Sequence, residues 1–210
     1  LVSKEERMTR GNRYSRVALM ILTLLWGSMP TLSAATPMEE IKKTIGQALA
    51  ILQDSMDAGD AGRARRREML RDVLSLRFDF KEMARMSLGT HWNRQPTRQQ
   101  EFVSVFTGFV ENSYVSKMES LKGTEVVYLR EHVDRELAQV DTKIVPNRGD
   151  DVPVHYKLHL SGGEWKIYDV IVENVSLVDN YRSQFNRILT SATFDDLLRK
   201  LQLRTSARGG

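Results

Sequence analysis

A chain of 210 residues with 41% apolar side chains is long enough for one globular domain with its own core. Of the net charge of +4, a surplus of three sits in residues 1–35, so the rest is nearly neutral and gives no support to nucleic-acid binding. There is no cysteine, which excludes disulfides, thiol catalysis, cysteine-held zinc and a lipid anchor on an N-terminal Cys.

The first segment reads as a leader. Arg10, Arg13 and Arg16 precede the apolar run Val17 to Trp26, Gly27 and Pro30 break that run, and Ser33-Ala34-Ala35 offers small residues for cleavage. This pattern predicts a secretory signal peptide over residues 1–35, cut after Ala35. An apolar run of about ten residues is too short to span a bilayer. The expectation is an exported protein, free in the periplasm, with one domain over 36–204 and a frayed tail over 205–210.

Met38, Ile41, Ile45, Ala48, Leu49 and Leu52 fall on one helical face. Asp57 to Asp60 reads as a loop, and a second helix runs through Met69, Val73 and Leu76. Phe78-Asp79-Phe80 opens a short helix that carries Met83 and Met86 and stops near Gly89. A long helix follows Pro96-Thr97, with Phe102, Phe106, Phe109 and Ser113 at helical spacing, widened by Val105 and Val110.

After Gly123 the apolar period falls to two. Strands are predicted over 126–131 and 137–145, joined by His132 to Arg135, then over 152–160 and 165–172 with Ser161-Gly162-Gly163 between them. Four sequential strands with short turns imply an antiparallel meander, and with the helices an α+β domain. A last pair of helices begins at Ser176, where Asp179 gives a capping-box-like start, and at Phe194.

The sequence holds no G-x-S-x-G, H-E-x-x-H, Walker loop or G-x-G-x-x-G, so neither catalytic nor metal-binding residues are assigned. His155 and His159 share a strand face but stand about 13 Å apart, too far to share one ion, and read as solvent-facing. Asp169 interrupts the last strand's apolar pattern, and an ion pair to Arg182 is expected to satisfy it. Arg63, Arg65, Arg66 and Arg67 form one dense basic run. It reads as a solvated helix face or as a docking surface for anionic headgroups or an acidic partner.

From Phe78 onward the sequence resembles the MlaC family of periplasmic lipid-shuttle proteins, also known as toluene-tolerance proteins. Phe78-Asp79-Phe80 with Met83-Ala84-Arg85, Leu88-Gly89 and Trp92 carries the first match, and Arg98 to Phe102 through Phe106 and Tyr114 the second. The most specific match is Trp165 to Val170 followed by Val175 to Phe185. Asn174 departs from the Gly expected there, which touches only the local turn. The resemblance implies an α+β fold with a hydrophobic pocket between sheet and helices, holding phospholipid tails while the headgroup stays in water. It further implies exchange with an outer-membrane lipoprotein–porin complex and with an inner-membrane ABC transporter carrying an MCE-domain protein. The hopanoid-associated HpnM type is a related alternative, and a periplasmic enzyme with an apolar pocket a more distant one. The expected carrier is a monomer with phospholipid as cargo, no other cofactor and no nucleic-acid partner.

Alternation nominates the lining residues. From the sheet these are Val126, Tyr128, Val140, Ile144, Val154, Tyr156, Leu158, Trp165 and Ile167. From the helices they are Met83, Met86, Phe102, Val105, Phe106, Phe109, Leu177, Tyr181 and Phe185. The same alternation serves a packed core or a lined cavity.

Overall fold

A computed structural model describes residues 35–54, 59–118 and 121–206. Most of the predicted leader and the end of the predicted tail lie outside the described residues. Helix α1 (Pro37–Gln53) begins with a complete capping box. Thr36 Oγ1 accepts from Glu39 N–H, and Glu39 Oε2 accepts from Thr36 N–H. Its buried face carries Ile41, Thr44, Ala48 and Leu52, close to the predicted stripe.

Helix α2 (Asp60–Arg77) contains Met69, Val73 and Leu76, the three apolar residues of the predicted second helix. Leu70 and Leu74 are buried, while Leu76 is 68% exposed. The inward stripe runs through positions 70, 74 and 77. Arg77 can close that stripe because it has partners there. It pairs with Glu40 and donates to Thr44 Oγ1 at 3.2 Å and to the Trp165 carbonyl at 2.6 Å.

Helix α3 (Phe80–Leu88) is capped by Asp79, whose carboxylate accepts from Glu82 N–H at 2.9 Å. Gly89 ends it at φ +56°, where a side chain would be strained and would meet the Arg182 stem at 3.4 Å. A 3-10 turn (Gly89–Arg94) leads to helix α4 (Gln99–Met118), which buries Phe102, Phe106 and Phe109 as predicted.

The sheet has five antiparallel strands in sequential order, not four. They are β1 (Glu125–Asp134), β2 (Leu137–Val145), β3 (Val152–Ser161), β4 (Glu164–Val172) and β5 (Val175–Ser176). β1 runs on through the predicted turn at His132 to Arg135, and the reversal falls on Arg135-Glu136, with Arg135 at φ +55°. The extra strand follows a tight turn in which Glu173 and Asn174 both take positive φ, at 50° and 66°. Asparagine tolerates that region, so the missing Gly is absorbed locally. Phe78 forms a parallel bridge to Ile167, and Asp79 N–H donates to the Ile167 carbonyl, which ties the start of α3 to β4.

Helix α5 (Leu177–Ser191) starts at Ser176, whose Oγ accepts from Asp179 N–H at 3.0 Å. The expected Asp169–Arg182 ion pair does not form. Asp169 is buried and instead accepts from Ser176 Oγ at 2.7 Å and from Val178 N–H at 3.1 Å. Arg182 pairs with Asp179 and donates to the Met86 carbonyl, fastening α5 to α3. Helix α6 (Phe194–Ser206) extends through Thr205 and Ser206.

The two histidines read as solvent-facing are each held by a carboxylate, with side chains only 24% exposed. His159 Nε2 lies 3.0 Å from Asp79 Oδ2, and His155 Nδ1 lies 2.7 Å from Asp141 Oδ1. Asp141 also accepts from Arg130 Nε and from Gln139 Nε2. Burial opposes ionisation of Asp141, but the hydrogen bonds from Arg130, Gln139 and His155 outweigh it and hold its carboxyl below the ordinary range. A carboxyl depressed in the folded state adds stability that is present above its unfolded value and lost as pH falls through the folded value. In urea unfolding, Asp141→Asn is therefore expected to cost about 1–3 kcal/mol at neutral pH. The variant should also lose less further stability than the parent below about pH 4. An unchanged slope in that window would contradict this role.

Candidate functional site

Two apolar clusters fill the interior. One joins the helices through Phe102, Phe106, Tyr181, Phe185 and their neighbours, and the other joins α1 to the sheet through Ile41, Val140, Leu158 and Ile167. Only Phe78 and Leu177 pack against both among the described residues. Along the rest of the seam the faces stand apart and leave a cavity of about 210 Å³.

Its wall draws on every layer. Ile41, Ile45 and Ala48 come from α1, Leu74 from α2, and Phe80 and Met83 from α3. Val110, Tyr114 and Met118 come from α4, with Leu121 just beyond it. The sheet supplies Ile144, Val154, Tyr156, Ile167, Val170 and Val172, and Phe78 and Leu177 sit where the clusters join.

The polar atoms of this wall are few and neutral. Thr44 Oγ1 donates to the Glu40 carbonyl at 2.8 Å and accepts from Arg77. The hydroxyls of Tyr114 and Tyr181 lie 3.3 Å apart. Burial pushes the Tyr156 phenol above its ordinary range, so it stays protonated. No charged side chain lines the cavity among the described residues, and none of them form a cluster of His, Asp or Glu able to hold a metal. What the cavity offers is apolar surface, suited to a hydrocarbon chain.

Ligand pockets for molecules of drug size run from about 300 to 1,000 Å³. A space of about 210 Å³ takes part of a diacyl lipid, and a whole one requires the wall to give. Met83 and Met118 suit that demand, because the unbranched thioether chain repacks at low cost.

Of the residues nominated from the sequence, Met83, Ile144, Val154, Tyr156, Ile167 and Leu177 line the cavity. Phe102, Phe106, Phe109, Tyr181 and Phe185 are packed inside the helical cluster, with Met86 and Val105 at its margin. Val140, Leu158 and Trp165 belong to the sheet cluster without reaching the cavity wall, and Tyr128 lies at its edge beneath Lys42. Val126 is half-buried beside them on β1.

Sequence reading missed the α1 wall, although its apolar stripe was legible, and it missed Leu74, Tyr114, Met118, Val170 and Val172. The β4 residues have a specific cause. The β3–β4 register shifts after Lys157, so Tyr168 is an extra residue. Ile167 faces inward before that bulge, and Val170 and Val172 face inward after it, so alternation counted from Trp165 places them on the wrong side.

Residues 42–203 match the family described as MlaC protein. The chain belongs to the MlaC family. It is 25% identical over 174 residues to the toluene tolerance protein Ttg2D of Pseudomonas putida, spanning 78% of this chain and 79% of that protein. It is also similar to the solved phospholipid-binding protein from Ralstonia solanacearum, a structure in complex with a phospholipid. That similarity has a TM-score of 0.72 at 21% identity and covers 84% of this chain and 100% of the other, which fixes the fold.

The stretches that carried the MlaC resemblance turn out to hold one another. Phe78 bridges Ile167, Asp169 anchors the start of α5, and Arg182 lies against Gly89. In this MlaC chain they brace the frame around the cavity and supply only part of its lining.

Proposed function

We propose that the chain is a periplasmic lipid carrier that takes phospholipid acyl chains into the seam between sheet and helices. It shuttles them between an outer-membrane lipoprotein–porin complex and an inner-membrane ABC transporter carrying an MCE-domain protein. The observation that carries this reading is the cavity, apolar and free of charged groups among its described lining residues. The solved Ralstonia solanacearum relative in complex with a phospholipid supports it. The basic, apolar and small-residue pattern of residues 1–35 supports export.

Energetics shapes how such a carrier works. Withdrawing an acyl chain from water gains about 0.8 kcal/mol per methylene, but a bilayer already shields the same surface. Net transfer from membrane to protein lies near balance, while release into water is prohibitive. Lipid therefore leaves only to a receiver that accepts the tails directly.

The test uses two vesicle populations, each reconstituted with one of the two membrane complexes and one carrying labelled phospholipid. Added protein is expected to speed label transfer well above the vesicle-only rate and to retain lipid once the vesicles are removed. Transfer unaffected by the protein, with no lipid retained, would defeat the proposal.

A further inference from the structure

Arg63, Arg66, Leu70, Leu74 and Arg77 recur along α2 at steps of three and four residues, so they share one side of the helix. Leu74 lines the cavity, Leu70 is fully buried, and Arg77 is satisfied by Glu40, Thr44 and the Trp165 carbonyl. Toward its N-terminal end the same side carries Arg66, where an apolar stripe would ordinarily continue, and then Arg63, which is exposed and pairs with Asp60. Arg66 is half-buried there, and its Nε is shut off from solvent without a hydrogen-bond partner.

A guanidinium N–H removed from water and left without an acceptor costs free energy that a bound anion would recover. The planar guanidinium fork fits phosphate oxygens, and Arg is the usual choice where phosphate is recognised. Arg66 precedes Leu74 by two helical turns, about 12 Å along the axis, so one side of the helix runs from the cavity wall to this guanidinium.

We infer that Arg66 binds the phosphodiester of the carried phospholipid at the N-terminal end of α2, while the tails occupy the widened cavity. Arg67 is its neighbour in sequence, and Arg63 one turn earlier pairs with Asp60. This rests on the lipid-carrier reading and modifies one expectation of the resemblance, since the headgroup then meets protein at its phosphate instead of remaining wholly in water.

The experiment compares Arg66→Ala and Arg66→Lys with the parent chain for retention of phosphatidylglycerol and of diacylglycerol bearing the same acyl chains. Thermal unfolding is recorded alongside. Arg66→Ala is expected to weaken phosphatidylglycerol retention about ten- to hundredfold and to leave diacylglycerol retention unchanged. Arg66→Lys should recover part of the loss. Equal losses for both lipids would overturn the assignment, because Arg66 would then shape the fold or the cavity. Unchanged retention of both would overturn it as well. If inorganic phosphate alone bound the parent but not Arg66→Ala, with lipid retention intact, the site would belong to a free anion. If only transfer to the membrane complexes suffered, it would belong to an acidic partner protein. A parent chain that retained neither lipid would sink the carrier reading itself, and this inference with it.

Discussion

Replacing Ala48 by Phe is expected to lower phospholipid loading at least about tenfold while leaving the thermal midpoint within a few degrees of the parent. Ala48 is 4% exposed and lines the cavity from α1, so a benzyl group built there has the empty seam to enter. Overpacking costs about 1–3 kcal/mol in a filled core, but here the added atoms occupy space that holds none. Excluding as few as two acyl methylenes, at about 0.8 kcal/mol each, is already worth a factor of about ten in affinity. Lipid extraction and a melting curve on the same sample check both halves. Normal loading would mean that the tails lie elsewhere.

Phe106→Ala should do the reverse. Phe106 is fully buried in the helical cluster, stacked on Phe102 at 5.8 Å and meeting Tyr181 edge-on at 5.8 Å and Phe185 edge-on at 6.2 Å. Truncation removes a large apolar surface and leaves a void that these rings cannot close, a loss of about 3–5 kcal/mol. For a domain of this size that corresponds to a fall of roughly 6–20 °C in the melting midpoint. Phe106 is absent from the cavity wall, so the fraction that remains folded should carry lipid as the parent does. A large loss of loading without a loss of stability would place Phe106 in the binding surface after all.

The contrast between these two residues marks the limit of what apolar spacing reveals. Both sit at positions the 3.6-residue period identifies as inward, and the helices themselves were legible down to the Ser176 cap and the stop at Gly89. Whether an inward residue meets another side chain or empty space depends on how far apart two surfaces stand. That separation is set by the whole assembly and not by any local pattern. Apolar periodicity therefore named Ile167 on a strand and Phe106 on a helix with equal force, and only one of them borders the cavity.

Other misreadings have local causes. On α2, nothing in the local pattern marks an arginine as part of the inward face. Glu40 and Thr44 reverse this at Arg77, and they lie 37 and 33 residues away in sequence. The bulge at Tyr168 inverts the parity of β4, which hid Val170 and Val172. Asp169 was rightly singled out as a polar interruption, yet its partners are a hydroxyl and a backbone N–H near its own turn, which a search for opposite charge passes over.

Native mass spectrometry of the protein, purified without detergent and followed by lipid extraction, tests most directly whether the seam between sheet and helices holds hydrocarbon. Phospholipid should be found bound to the intact chain, and its amount should fall in Ala48→Phe. Bare polypeptide mass in the parent, persisting after incubation with phospholipid vesicles, would contradict the lipid-filled cavity.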